Sequence, residues 1–312
     1  WSWGNYNFKS KFQKNLLFFK NEKELRFLNF YTNTINFSRD LINSPANKIN
    51  PSSFYNAIEK SILFKNFKFK KYSLADIKKY YPLTYAVGKS SNIHPKIIHI
   101  SNKKILKKDK PLVIIGKGVT FDTGGVNIKP GNSMRNMKKD MGGSAIALSL
   151  FLLANYLLKK TKIILIIPLA ENAISSKSMR PGDIYSSHLG KTVEISHTDA
   201  EGRLLLADAI ETSCEYNPSL IIDFATLTGA ARVALGEDLP AYLCNNENIA
   251  KKIEILNQKN LRCWRLPLFE KYKIKLKSEV ADFCNASLDG MAGAITAGLF
   301  IQKFLKSSEI PW

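Results

Sequence analysis

The sequence predicts an α/β fold built on a mixed, largely parallel sheet covered by helices on both faces. Two observations predict it. From about residue 111 onward short apolar runs alternate with helix-length stretches, and glycine-rich or acidic segments fall where the runs end. Leu112-Val113-Ile114-Ile115, between Pro111 and Gly116, reads as a buried strand. Met141 to Leu158 follows as a helix, Ile163 to Ile167 as a second buried strand, Arg203 to Cys214 as a second helix, and Leu220 to Phe224 as a third strand. Strands separated by helices pair in parallel through right-handed crossovers, which lays helices over both faces. Ligands on such sheets collect at the carboxyl ends of the strands. Tyr72 to His99 reads as a further mixed unit and Lys103 to Lys110 as a polar connector.

The chain has 312 residues, enough for one large domain or two modest ones with a substantial core. Its formal net charge of +20 is uneven: residues 1–110 hold 22 Lys and Arg against 6 Asp and Glu, the remainder 24 against 20. A basic first third could neutralise phosphates. Its lysines are interleaved with aromatic residues, as in Lys65-Asn66-Phe67-Lys68-Phe69-Lys70-Lys71, so a solvated face is the preferred reading and nucleic-acid binding the alternative. Cys214, Cys244, Cys263 and Cys284 lie far apart with no Cys-x-x-Cys pair, a pattern of reduced thiols and a cytoplasmic setting rather than a zinc ribbon. Trp1-Ser2-Trp3-Gly4 carries no targeting pattern. The longest apolar tract, Ala145 to Leu158, is short for a bilayer, so a core helix and no membrane segment are expected.

His197-Thr198-Asp199-Ala200-Glu201-Gly202-Arg203 packs two carboxylates and a guanidinium beside the apolar Leu204 to Ala207. In an extended segment Asp199 and Glu201 share a face, with Ala200 turned into the packing and His197 on the carboxylate side. Half-buried carboxylates on one face require a cation. A second cluster, Gly116 to Gly125 followed by Lys129 and Asp140, lies after the first strand. Its glycines lack the spacing of a phosphate or dinucleotide loop, and Leu83 stands where Gly88-Lys89-Ser90 would need the first phosphate-loop glycine. No Gly-x-Ser-x-Gly elbow or His-Glu-x-x-His helix is present. What remains is Asp122, Asp140, Asp199 and Glu201 at one sheet edge, a set suited to divalent metals and metal-assisted hydrolysis.

Gly116 to Gly125, Asp140 to Gly143, Arg180-Pro181-Gly182-Asp183, His197 to Leu206 and Ala225 to Ala230 resemble the motifs of the leucine (cytosol) aminopeptidase family of dinuclear metallo-exopeptidases. The resemblance extends from Asp40 to Asn47 through Trp264 to Leu268 and Gly293 to Ala297, up to Trp312. It implies a zinc-exopeptidase-like catalytic domain at 39–312, incomplete at its carboxyl end, after a remnant of an amino-terminal domain and linker at 1–38. The fold would thus be truncated at both ends. It further implies that Asp122 and Glu201 bridge two divalent metals, manganese or zinc. Asp199 would complete one site, and Lys117 with Asp140 the other.

By the same resemblance Lys129 polarises the scissile carbonyl and Arg203 holds a bicarbonate ion as general base. Met137, Thr226, Leu227 and Gly229 would lie near the substrate's first side chain. The implied reaction releases amino-terminal, preferentially apolar, residues from peptides by attack of a hydroxide bridging the metals. A homohexamer in the cytoplasm is also implied. The family usually has Asn where this chain has His197, for which a supporting or packing role is expected rather than metal ligation.

Overall fold

The structure is a computed structural model that describes residues 21–259 and 261–312. The amino-terminal remnant expected at 1–38 therefore lies, up to residue 20, outside the described residues. Helix α1 (Glu22–Asn43) is continuous across position 38. In α2 (Pro51–Glu59), Asn50 caps the helix by accepting from the Ser52 and Ser53 N–H groups, and proline takes the first position, where no donor is needed. Strand β1 (Lys68–Phe69), helices α3 (Leu74–Tyr80) and α4 (Pro82–Gly88) and strand β2 (Lys96–Ser101) form the mixed unit expected around Tyr72 to His99. Next come β3 (Leu112–Gly116), β4 (Gly118–Asp122), α5 (Gly142–Leu157) and β5 (Ile163–Asn172). The antiparallel pair β6 (Ile184–Ser186) and β7 (Thr192–Glu194) precedes α6 (Gly202–Cys214) and β8 (Leu220–Phe224). Beyond them lie α7 (Gly229–Leu235), β9 (Ala241–Tyr242), α8 (Glu247–Asn257), β10 (Trp264–Arg265), β11 (Phe283–Cys284) and α9 (Gly293–Gln302).

The main sheet runs β1-β2-β5-β3-β8, with β4 also pairing β5. Strands β3, β4, β5 and β8 are parallel, and β2 and β1 add an antiparallel edge, so the expected mixed, largely parallel sheet is present. Period-two alternation sends Val113, Ile115, Ile164 and Ile166 to one face, against Leu204, Leu205 and Ala209 of α6. Ile114, Ile163, Leu165 and Ile167 face the other way, against Leu148, Phe151 and Leu152 of α5. Helix α1 packs on α5 through Ser38, whose hydroxyl donates to the Ala145 carbonyl at 2.7 Å.

Three sequence expectations change. The segment Gly116 to Gly125 is not a loop throughout: β3 and the start of β4 run along β5 in one register, Ile115 opposite Ile166 and Gly118 opposite Leu169, and the register shifts before Asp122 pairs Asn172. The helix expected at Met141 to Leu158 is α5, but the apolar stretch that includes it is longer than the tract Ala145 to Leu158. A 3₁₀ turn at Met137–Met141 runs into α5, and Met137–Leu157 is long and apolar enough by composition to cross a membrane. It is a core helix, because 67% of its apolar window is buried. Third, residues 197–200 form a turn rather than an extended segment, so strand parity does not govern their side chains. His197 is exposed, Ala200 half-buried, and Thr198 is the residue turned inward.

Candidate metal centre

The acidic residues meet at the carboxyl edge of the parallel strands. Lys117 sits between β3 and β4, Asp122 ends β4, and Asn172 ends β5. Asp140 lies on the 3₁₀ turn leading into α5, and Glu201 occupies the cap of α6 without a side-chain cap bond of its own. Close backbone approach brings these elements together. A Cβ at Gly143 would lie 2.1 Å from the Phe224 carbonyl, so only glycine lets α5 start against the end of β8. At Gly202 a Cβ would lie 2.2 Å from Lys117 Cε, so α6 can begin beside that side chain.

The Lys117 ammonium, 2% exposed, donates to both Asp140 oxygens at 2.9 and 2.8 Å and to the Thr226 carbonyl at 2.9 Å. It also lies 3.2 Å from Glu201 Oε1. Lys129 Nζ is 2.8 Å from Asp122 and 2.5 Å from Asp199. Asp122 Oδ1 accepts from the Gly124 N–H and from Asn172 Nδ2, leaving Oδ2 to face Lys129. Four carboxylates thus confront two ammonium groups in a largely buried cluster, a formal excess of two negative charges.

That excess shows in the ionisation of the site. Burial, with Asp122, Asp140 and Asp199 adding to it and Lys117 opposing, pushes Glu201 up to about 8. Burial and then Asp122 push Asp199 up to about 6 against the pull of Lys129. Burial works against the charge on Lys117, but Asp140, Glu201 and Asp122 outweigh it and hold the amine above its ordinary value. Burial lowers Arg203 to about 10, with Glu201 opposing.

The residues present fit a bound cation. One ligand atom each from Asp122, Asp199 and Glu201 lies within 4.8 Å of the others, a grouping that could hold a metal ion. Both buried Glu201 oxygens lack a hydrogen-bond partner; Oε1 meets Lys117 at ion-pair distance without hydrogen-bond geometry. Such atoms are costly unless a cation takes them up. Hard oxygen donors suit zinc, manganese or magnesium. On the flank, Arg203 Nη1 donates to the Asn285 carbonyl at 2.7 Å, and its buried Nε has no hydrogen-bond partner.

Lys117, Asp122, Lys129, Asp140, Asp199 and Glu201 are therefore gathered as the sequence suggested, with Arg203 two residues beyond Glu201 in the first turn of α6. The four residues expected near the substrate are arranged less simply. Thr226 joins the cluster as a support: its hydroxyl donates to Asp140, at 2.8 Å to the carboxylate, and its carbonyl accepts from Lys117. Met137 is half-buried on the turn that carries Asp140, Leu227 packs against the core, and Gly229 opens α7. A hollow of about 320 Å³ at Glu59 to Phe69 is remote from these chemical groups, which charge rather than cavity size singles out.

Sequence reading missed two asparagines. Asn172 donates to Asp122 at 2.8 Å and to the Thr198 carbonyl at 3.2 Å, and Asn285 binds the 196–200 segment. A polar residue closing the apolar run of β5 was the one available signal for Asn172; Asn285 had none. His197 does not reach the carboxylates. Its Nδ1 accepts from the Asp199 N–H at 3.2 Å and so shapes the turn. Arg180 to Asp183 is likewise a local lock, with Asp183 accepting from the Arg180 backbone and guanidinium.

Fold and cluster together define a metal-binding α/β protein. A family model for the catalytic domain of the cytosol aminopeptidase family matches residues 36–312, and the chain belongs to that family. A probable cytosol aminopeptidase of Chlamydia abortus is 40% identical over 287 residues, covering 88% of this chain and 56% of the relative. A probable cytosol aminopeptidase of Legionella pneumophila is 41% identical over 286 residues, covering 91% and 59%. The chain thus spans a little over half the length of these curated relatives. The crystal structure of a cytosol aminopeptidase from Coxiella burnetii superposes with a TM-score of 0.89 at 41% identity, covering all of this chain and 68% of that one. The bottromycin maturation enzyme BotP, solved in complex with manganese, superposes with a TM-score of 0.85 at 30% identity, covering 95% and 65%.

Proposed function

We propose that residues 39–312 act as the catalytic domain of a metal-dependent aminopeptidase that releases amino-terminal, preferentially apolar, residues from peptides. The observation that carries this reading is the excess of carboxylate at buried Asp122, Asp140 and Glu201 and half-buried Asp199, with both Glu201 oxygens lacking hydrogen bonds. Two divalent metals, when bound, supply Lewis-acid polarisation and an activated water for attack on a peptide carbonyl. Asp122 and Glu201 would bridge them, Asp199 would complete one site, and Lys117 with Asp140 the other. Manganese is favoured by the manganese complex of the related BotP, with zinc the alternative.

Lys117 must be neutral to ligate. Burial already disfavours its charge, and neutralising the surrounding carboxylates removes the attraction that keeps it protonated. Lys129, whose ammonium lies against Asp122 and Asp199, would turn toward the oxygen of the scissile carbonyl as a preorganised positive charge. Arg203 has a planar guanidinium and a buried Nε without a partner, suited to holding bicarbonate as general base. Met137, Thr226, Leu227 and Gly229 would border the substrate's first side chain. A homohexamer and a cytoplasmic setting complete the proposal.

The test is hydrolysis of a leucyl amide by the purified chain with manganese or zinc, with and without chelator, beside a salt-dependent gel shift on duplex DNA. Metal-dependent turnover that Asp122→Ala and Glu201→Ala abolish is expected. Normal turnover in either variant would refute the assignment. A DNA shift without turnover would favour the nucleic-acid alternative.

A further inference from the structure

We infer that Asn285 is a positioning residue, which holds the segment Ser196 to Arg203 in the shape that the metal centre needs; this rests on the aminopeptidase reading above. The turn that presents Asp199 and Glu201 has little regular structure of its own: within it the Ala200 N–H donates to the His197 carbonyl at 3.2 Å. Beyond that bond and the one from the Asp199 N–H to His197 Nδ1, its shape is imposed from outside. Thr198 is tied to Asn127 and the Gly124 carbonyl on the β4 side, and on the opposite side Asn285 grips the chain.

Asn285 follows β11 and is fully buried. Its Oδ1 accepts from the Ser196 N–H at 2.8 Å, the His197 N–H at 3.2 Å and the Ser196 hydroxyl at 3.2 Å. Its Nδ2 donates to the His197 carbonyl at 2.8 Å and the Ala200 carbonyl at 3.3 Å. The backbone of the same residue closes the arrangement. Its N–H donates to the Glu194 carbonyl at 2.9 Å, and its carbonyl accepts from Arg203 Nη1 at 2.7 Å. One residue thereby fixes both sides of the site: the turn that leads through Asp199 to Glu201, and the Arg203 guanidinium in the first turn of α6.

The chemistry calls for a carboxamide. Two N–H groups lie on one side and two carbonyls on the other, which also fixes the orientation of the amide. In Asn285→Asp the volume is kept, but an oxygen replaces the donor that faces His197 and Ala200. The two carbonyls are then repelled and the turn is released. In Asn285→Ala the Ser196 and His197 N–H groups and the Ala200 carbonyl lose the bonds they make to the amide, and the His197 carbonyl is left with the Ala200 N–H alone.

The control is Asn102→Ala. Asn102 is a comparable clamp at the far end of β5, donating to Asn155 and the Thr161 carbonyl and accepting from the Ile163 N–H. The experiment measures manganese affinity by calorimetry, thermal unfolding, and kcat and KM on a leucyl amide for the wild type and all three variants. Supporting residues of this kind shift metal affinity or activity by about 10- to 100-fold. Both Asn285 variants are expected to lose that much manganese affinity, with the loss of turnover in kcat rather than KM. Asn102→Ala should lose thermal stability while keeping its metal.

Retention of wild-type manganese affinity and kcat by Asn285→Asp would overturn the inference. So would an equal loss of metal in Asn102→Ala, or failure of both Asn285 variants to fold, since each would mark a purely architectural role. If the wild type neither binds manganese nor hydrolyses the amide, the aminopeptidase reading itself fails and the inference falls with it.

Discussion

Replacing Gly202 by alanine sets helix propensity against the packing of a buried charge. Gly202 is the first residue of α6, where glycine to alanine ordinarily gains about 1 kcal/mol. Here the new methyl would lie 2.2 Å from Lys117 Cε and 2.7 Å from both Cδ and Nζ. A free lysine would swing away at little cost. Lys117 is pinned, because its ammonium is shared among Asp140, Glu201 and the Thr226 carbonyl at 2.8 to 3.2 Å. Two routes remain, and each is expensive. If the lysine stays, the helix start must shift, an overpacking cost that reaches about 3 kcal/mol for so short a contact. If the lysine leaves, it breaks a buried ion pair, again about 3 kcal/mol or more.

After the propensity gain the net loss is about 2 kcal/mol, which multiplies the unfolding constant roughly 30-fold and, for a chain of this size, lowers Tm by about 3 °C. Differential scanning calorimetry of the metal-free protein, followed by metal analysis after reloading, measures both consequences. Gly229→Ala is the control: it opens α7, nothing lies within 4 Å of its added Cβ, and its stability should hold or rise. A Gly202→Ala protein with wild-type Tm and full metal content would show that Lys117 is not held as described.

Three further outcomes are expected. Lys129→Ala should retain metal, because the four carboxylates are untouched, but lose about 100- to 1,000-fold in kcat; loss of metal instead would make Lys129 a structural cation. Asp208→Ala should cost about 1 to 3 kcal/mol without changing metal content, since the buried Asp208 carboxylate accepts from the Leu83 and Thr84 N–H groups at the start of α4; an unchanged melting curve would refute that role. The metal-free protein should lose stability as pH rises from about 5 to 8. Glu201 and Asp199 have folded-state values raised to about 8 and about 6, so the folded state binds more protons than the unfolded state across that window, and the slope is negative. Saturating metal, which ligates ionised carboxylate, should flatten it in the same pH series of thermal melts.

Apolar runs are local signals, and so the sequence by itself determined the strands Leu112 to Ile115 and Leu220 to Phe224, the helices α5 and α6, and the both-faced burial of the sheet between them. It also determined which residue types were in play, since carboxylates placed at strand ends beside apolar segments need a counter-charge wherever they end up. Tertiary structure alone decided which groups meet. Lys117 binds Asp140, 23 residues away, and the Thr226 carbonyl, 109 away, because β3, α5 and β8 converge at one edge. The path of the chain at His197 to Ala200 was also decided there. Local alternation favoured an extended segment, but Asn285, 88 residues from His197, and Asn127, 71 residues from Thr198, bend it into a turn. No pattern within a short window encodes a hydrogen bond made across such separations; it exists only once the crossovers have brought the strand ends together.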